Sequence, residues 1–524
     1  MLKLKKEINN IFSKELPADS MESNETRQVV EAAFSYVNPI KPSNPKLIHV
    51  SKEVATSVGI SLEETKSEDF LNVFSGNTVL DDTKPYAMAY AGHQFGNWAG
   101  QLGDGRAITL FEATHNGKNT MFQLKGAGKT PYSRRGDGLA VLRSSIREHL
   151  CSEAMYNLGI PTTRSLALFT SGDRVLRDIL YNGNADYEKG AIVCRTAPSF
   201  IRFGNFELFA SREDHKNLQL LADFTIKHYY PEIKSEGKVK YLKFFETVAN
   251  KTREMIVHWQ RVGFVHGVMN TDNMSIHGIT IDYGPYGWLE DYNPNWTPNT
   301  TDNEHKRYRF GNQPQIAQWN LLQLANALFP LIEEVKPLEK ILNDFPVKYE
   351  EDYMQMMHKK LGFTSSNETT KNCIYLLIEN LQLAETDMTI FFRNLSQVSK
   401  KDTVENAFEK IQDAFYNLEE AKNSTYDTWM YWFTIYINEL QKENPSDIER
   451  KVAMNLVNPK YVLRNYMAQL AIDDAEKEDY TLLNQLYEML LKPYEEQPQF
   501  EKWFAKRPDW AKNKVGCSAL SCSS

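Results

Sequence analysis

The chain has 524 residues, a length that prior domain sizes divide into two to four structural units. Apolar residues make up 42%, aromatic residues 12% and charged residues 24%, which excludes wholesale disorder and supplies a large core. The formal net charge of −8 argues against generic nucleic-acid binding over the whole surface, although a local basic pocket stays possible.

The N-terminus, MLKLKKEINNIFSKELPADS, starts basic but soon carries Glu7, Glu15 and Asp19, with no long apolar stretch. It reads as neither a secretion signal nor a transit peptide, so a cytoplasmic chain is expected. Residues 1–85 read as an extension holding the loop-like stretch Asn38–Pro45, and residues 86–105, with five glycines, read as loop. RAITLFEA and TMFQLK, on either side of Asn116-Gly117, predict a β-hairpin that ends in Lys125. A Gly- and Arg-rich loop, GAGKTPYSRRGDG, follows. Leu142, Ile146, Leu150 and Ala154 recur every fourth residue, predicting a helix over 139–158 that Gly159-Ile-Pro161 stops. Strands are expected at 163–170 and 190–196, a helix over 240–262, and a dense loop motif at 264–284.

After about residue 315 the pattern is mostly helical to residue 500, with Pro459 placed at the first position of a helix in NPKYVLRNYMAQLAI. The longest nearly apolar run, Trp429 to Ile437, is about half of what a membrane-spanning helix needs, so no membrane partner is expected. Five cysteines, an odd and sparse set, exclude a disulfide framework. Cys151, Cys194 and Cys373 stand alone, whereas Cys517 and Cys522 share the last eight residues.

Four features fall in a telling order: a Gly-rich loop, a hairpin ending in Lys125, a helix bearing Glu148, and HGVMNTDN (266–273) with DYG (282–284). Kinase-type nucleotide sites need these parts. Glycines admit phosphates to the backbone, a strand lysine meets phosphate charge, a helix glutamate orients that lysine, and Asn273 and Asp282 would hold a divalent metal. The departures inform as much. A kinase places its Asp base five residues before the metal-binding Asn, and that position here is Val268. Asp272 is the candidate that replaces it. Asp104 lies between Gly103 and Gly105, where a phosphate would be repelled by about 4 kcal/mol at ~4 Å and an effective dielectric of ~20. Either it points away, binds metal or pairs with Arg106, or the nucleotide lies differently from a kinase's. Arg195 and Arg202, outside the usual kinase set, suit bidentate phosphate contacts. An atypical kinase, a nucleotide-binding scaffold without activity and, most weakly, a Rossmann dehydrogenase stay open on these residues alone.

The runs AGHQFGNWAGQLGDGRA, LKGAGKTPYSRRGDG, VLRSSIREHLCSEAM, LGIPTTRSLAL, HGVMNTDNMS and DYGPYG resemble the selenoprotein O (YdiU-type) pseudokinases. The similarity covers most of residues 85–320 and resumes in NPKYVLRNYMAQLAI and the terminal CSS. The resemblance implies an α+β, protein-kinase-like bilobal fold: an N-terminal extension (1–85), a β-rich N-lobe (86–185), a helical C-lobe core (186–330) and a helical C-terminal region with a Cys-containing tail (331–524). It implies transfer of AMP from ATP, or UMP from UTP, to Ser, Thr or Tyr hydroxyls of proteins, with the nucleotide bound in a flipped orientation. It further implies that Gly103, Gly105, Arg106, Asp137 and Gly138 line the nucleotide and that Lys125, oriented by Glu148, contacts phosphate. Arg195 and Arg202 would hold the phosphates, Asn273 and Asp282 would bind Mg²⁺ or Mn²⁺, with Asp282 also at the nucleotide, and Asp272 would accept the proton. Cys522 fits the family's redox-active terminal position, with Cys517 five residues earlier, but residues 285–330 hold no partner cysteine.

Overall fold

Asn116 and Gly117 both have positive φ (48° and 74°), the type I′ geometry whose twist matches the flanking strands, and His115 pairs with Lys118 across the turn. The computed structural model describes residues 3–179, 183–517 and 520–521. In chain order the strands are β1 (Phe34–Tyr36), β2 (Lys46–Val50), β3 (Tyr86–Met88), β4 (Ala91–Gln94), β5 (Asn97–Gln101), β6 (Ala107–His115), β7 (Lys118–Lys125), β8 (Ala140–Val141), β9 (Arg164–Arg177), β10 (Asp186–Ala197), β11 (Phe264–Val265) and β12 (Gly287–Trp288). One antiparallel sheet runs β1-β3-β6-β7-β10-β9-β2, with β8 paired to β10; β4 with β5 and β11 with β12 form separate two-stranded pairs.

Both faces of the main sheet are covered. On one, Phe122, Leu124, Ile192 and Cys194 pack with Val54, Phe70 and Phe74, brought by α2 (Lys52–Ser57) and α3 (Glu68–Phe74). These two short helices follow α1 (Ile11–Glu15). On the other face, Met121, Leu168 and Val193 meet Ile146 and Leu150 of α4 (Leu142–Asn157). Burial on both sides explains why β10 reads as a continuous apolar run rather than an alternating one. The N-terminal stretch thus contributes two strands and a covering layer to the sheet. Leu142, Ile146, Leu150 and Ala154 are fully buried along α4, as their spacing predicts, each of the larger ones contributing about 1.5–3 kcal/mol.

Helices α5 (Phe203–Ser211), α6 (His215–Tyr229) and α7 (Gly237–Val262) follow. The β11–β12 pair brackets the loop that carries both motifs, and α8 (Gln313–Ile332) and α9 (Val335–Leu361) begin the helical remainder. One core runs from the sheet through α4 to Ile472, Leu486 and Trp503, and a second gathers Phe391, Trp429 and Trp432. Among the described residues no helix is long and apolar enough to cross a membrane.

Two expectations are corrected. Residues 86–105 are not simply loop: they hold β3, β4 and β5. Phe95 and Gly96, with φ of 51° and 84°, make the tight turn of the β4–β5 hairpin, and glycine-rich composition masks the strands because the backbone supplies their bonds. Pro459 does not open a helix. Residues 459–464 carry no helix, with Lys460 and Tyr461 amides bonded to the Pro493 carbonyl, and the helix begins at Asn465. Tyr461, Val462 and Leu463 are buried there, and Arg464 forms a bidentate pair with buried Asp387 (2.8 and 2.9 Å) and an ion pair with Glu290. Tertiary burial overrides the local signal.

Glu112 on β6 ties the N-terminal segment to the sheet. Its carboxyl accepts the Phe12 amide (2.9 Å), the Tyr86 hydroxyl (3.1 Å) and the Asn119 amide (3.3 Å). Burial pushes its pKa up to about 7, against those hydrogen bonds. The fold therefore favours the protonated form; that stability is complete below the unfolded pKa and is lost as pH rises through about 7. Between about pH 5 and 8 the wild type should lose up to about 3 kcal/mol relative to Glu112→Gln, read by denaturant unfolding. Parallel losses in both proteins would exclude this.

Candidate active site

A cavity of about 1210 Å³ opens beside the sheet, bounded by the 132–139 loop and by the 268–285 segment. Its wall brings together Gly103, Gly105, Arg106, Lys125, Asp137, Gly138, Arg195, Asp272, Asn273 and Asp282. Glu148 and Arg202 are buried behind that wall and reach it through their ion pairs.

Lys125 ends β7, and its Nζ lies 2.6 Å from Glu148 Oε2 on α4. Burial pulls the lysine pKa down, as do Arg106 and Arg195, against the pull of Glu148. Gln123, two residues earlier and therefore on the same strand face, accepts from Arg195 Nε (2.9 Å) and Nη2 (2.7 Å). The register of β10 against β9 shifts between Cys194 and Arg195, an irregularity of the kind that re-aims a side chain beside a site. Arg195 Nη1 reaches both Glu148 (3.0 Å) and Asp282 (2.7 Å).

Arg202 caps the start of α5. It donates to the other Asp282 oxygen and to the Asp272 carbonyl (2.8 Å), and its guanidinium lies 4.4 Å from the Tyr90 ring centroid. Burial works against ionising Asp282, but Arg202, Arg195 and Lys125 outweigh it and hold the carboxyl well below its usual range. Asp282 also takes a left-handed φ of 56°, which a short polar side chain tolerates. Asp104 resolves its conflict by pairing with Arg202 at 3.7 Å, not with Arg106. It also accepts the Met88 amide and the Gln123 amide, and burial raises its pKa to about 6.

Two glycines are required by close approach. A Cβ on Gly103 (φ +124°) would lie 2.3 Å from the Tyr132 ring, and one on Gly138 (φ +72°) 2.1 Å from the Gly128 carbonyl. Asp137 takes a bidentate bond from Arg177 on β9 (2.7 and 2.8 Å), which, with the Leu139 amide, lowers its pKa despite burial.

Asp272 and Asn273 lie on a short turn whose Thr271 hydroxyl accepts the His93 amide (2.7 Å). Burial raises the Asp272 pKa to about 7, opposed by Arg202 and by Gln94, whose amide donates to Oδ2 at 3.3 Å. Its Oδ1 is buried without a hydrogen-bond partner among the described residues. Asn273 donates to the Val268 carbonyl (2.9 Å), which turns its amide oxygen away from that carbonyl. Val268 lines the cavity with a side chain that cannot accept a proton.

Reasoning from residues missed Tyr90, Gln94, Gln123 and Arg177. Gln123 was legible from its period-two spacing to Lys125; the others come from segments without a kinase signature. Cys517 is not on the cavity wall. It is buried, its carbonyl accepting from Asn465 (2.7 Å), and burial pushes its thiol up to about 11. Cys522 lies outside the described residues.

A lysine–glutamate pair, an asparagine and an aspartate around one polar cavity are the parts of a nucleotide-dependent transferase of the kinase-like class. A family profile described as protein adenylyltransferase SelO matches residues 20–491. A protein nucleotidyltransferase YdiU of Flavobacterium johnsoniae is 68% identical over 517 residues, 99% of each chain. Proteins of the same name from Rhodopirellula baltica and Tolumonas auensis are 51% and 49% identical, again over 99% of each chain. The chain belongs to the SelO family of protein nucleotidyltransferases.

The cations divide into two sets. Lys125, Arg177, Arg195 and Arg202 are already paired with carboxylates, whereas Arg106, Arg134 and Arg135, also on the wall, make no ion pair among the described residues. Replacing Arg134 and Arg135 by Ala should weaken ATP binding about tenfold or more by calorimetry while leaving the melting temperature nearly unchanged. Arg202→Met should instead destabilise the fold by about 3–5 kcal/mol, because it leaves buried carboxylates uncompensated.

Proposed function

We propose that this protein moves AMP from ATP, or UMP from UTP, to Ser, Thr or Tyr hydroxyls of other proteins and releases pyrophosphate. The observation that carries the reading is the placement of Asp272, with one unpartnered carboxylate oxygen, on the same cavity wall as the Lys125–Glu148 pair and the doubly clamped Asp282. A bilobal, kinase-like division between the β-rich sheet and the helices would place that wall in the interlobe cleft.

The Asn273 amide oxygen and the Asp282 carboxylate would hold Mg²⁺ or Mn²⁺. The fit is sound: Asp282 stays ionised with a fifth of its side chain exposed, and Asn273 is oriented by Val268. No group of three or more His, Cys, Asp or Glu could hold a metal among the described residues, so phosphate oxygens and water would complete the shell. Bound there, the ion would neutralise phosphate charge.

The chain's own residues then perform the transfer. Unpaired Arg106, Arg134 and Arg135 attract the phosphates, and Lys125 and Arg195 fix them against the wall. The acceptor oxygen bonds to the α-phosphorus, the bond from that phosphorus to the bridging oxygen breaks, and pyrophosphate leaves with the electron pair. The hydroxyl proton passes to Asp272, whose raised pKa suits a base working near neutrality. Val268 at the usual base position favours this route over ordinary γ-phosphoryl transfer.

ATP labelled at the α-phosphate should mark protein substrates, and ATP labelled at the γ-phosphate should not; the reverse pattern would make the protein a kinase. Asp272→Asn should lower turnover by about 10²–10⁴ with nucleotide affinity retained. Asp282→Asn, whose single amide oxygen still accepts from one of the two arginines, should abolish transfer, and undiminished labelling by that variant would sink the mechanism.

A further inference from the structure

We propose that the protein substrate docks through an acidic segment onto a cationic–aromatic shelf formed by the β4–β5 hairpin and residues 305–309, next to Asp272. The proposal rests on the transferase reading and names the substrate class that this reading leaves open.

The hairpin is fastened to the catalytic turn. Gln94 donates to Asp272, the His93 amide to Thr271, and the Phe95 amide to both Asn270 Oδ1 (3.2 Å) and the Tyr308 hydroxyl (2.9 Å). Tyr308 in turn donates to Asn270 at 2.6 Å. Gln94 and Phe95 line the cavity, so the hairpin turn forms the rim on the Asp272 side. An acceptor side chain reaching Asp272 over this rim would bring its own backbone across it.

What sits on the rim is cationic. The sequence there is Glu304-His-Lys-Arg-Tyr-Arg309, three fixed positive charges against one exposed acid. Lys306, Arg307 and Arg309 make no ion pair among the described residues. Asp302, the next acid back along the chain from Glu304, is buried and occupied by the Arg307 and Tyr308 amides. The Arg307 guanidinium passes over the hairpin turn, 3.3 Å from where a Cβ on Gly96 would stand, and lies 4.6 Å from the Trp319 ring centroid. Trp98 on β5 adds an indole that is 45% exposed. On a chain of net charge −8 this is a local reversal of sign. Weakly hydrated, aromatic-backed guanidinium groups favour carboxylates presented by a partner, and unpaired rim charges select partners by complementarity.

The test uses the full chain, α-labelled ATP and an array of single-serine peptides flanked by Asp/Glu, by Ala or by Lys. Acidic peptides should show a KM at least tenfold lower than the alanine and lysine series, and the advantage should shrink as salt rises. Lys306→Glu with Arg309→Glu, both at the surface, should lose or invert that preference, and Arg307→Glu should do so more strongly. The nucleotide-induced melting shift, read in parallel, reports folding of each variant. Equal KM values across the array, an unchanged preference in the Lys306/Arg309 variant, or inhibition by single-stranded RNA but not by acidic peptide would overturn the docking surface while leaving the transferase reading intact. Absence of α-label from every peptide and protein offered would instead defeat the transferase reading, and the docking surface with it.

Discussion

The carboxylate of Asp282 is held from two sides by guanidinium groups, and the geometry of the site follows from that clamp. Arg195 comes from the sheet, Arg202 from the start of α5, and Asp282 from the loop between β11 and β12. Three parts of the chain are thus fixed to one point. Buried ion pairs add little net stability, but breaking one is costly because the remaining charge has no water to turn to. The clamp therefore makes a single arrangement of sheet, helix and loop the only one without an orphaned charge.

The clamp also organises the charge of the cavity. Lys125, Arg195 and Arg202 are matched by Glu148, Asp282 and Asp104, so the inner layer is close to neutral and self-contained. Arg106, Arg134 and Arg135 on the cavity wall make no ion pair among the described residues, so net positive charge on that wall comes from them. The structure separates cations already paired with carboxylates from wall cations without such a pair, a distinction that residue type alone does not make. Glu148 can serve the inner layer because α4 is packed on both sides, by the sheet and by the segment that includes Ile472 and Leu486. The C-terminal helices thereby support the helix that orients Lys125.

Much of the frame was legible beforehand. The Asn116-Gly117 turn announced its hairpin, the fourfold spacing of Leu142, Ile146, Leu150 and Ala154 announced α4, and HGVMNTDN with DYG announced a segment that lines the cavity. These signals are local: turn chemistry and helical period act over a few residues. The β4–β5 hairpin was not legible, because glycine and mixed polar residues in strands give no alternation. Nor was the Arg464 cluster, where an apolar run at 461–463 and a buried ion pair override the helix-start signal of Pro459.

The sequence by itself determined which chemical groups would meet: a strand lysine, a helix glutamate, an Asn and an Asp with DYG, a valine where a base would stand, and a cation-rich segment from 123 to 204 in an acidic chain. Only the tertiary structure decided what each does. Arg202 is a buried clamp and not a wall residue, Asp104 turns to Arg202 rather than to Arg106, Asp137 is tied to Arg177, and Asp272 is bound by Gln94 from a distant hairpin. The reason is physical. Residue type fixes charge and hydrogen-bonding capacity, but desolvation and partner choice depend on contacts between residues 40 to nearly 180 positions apart, which the fold alone brings together.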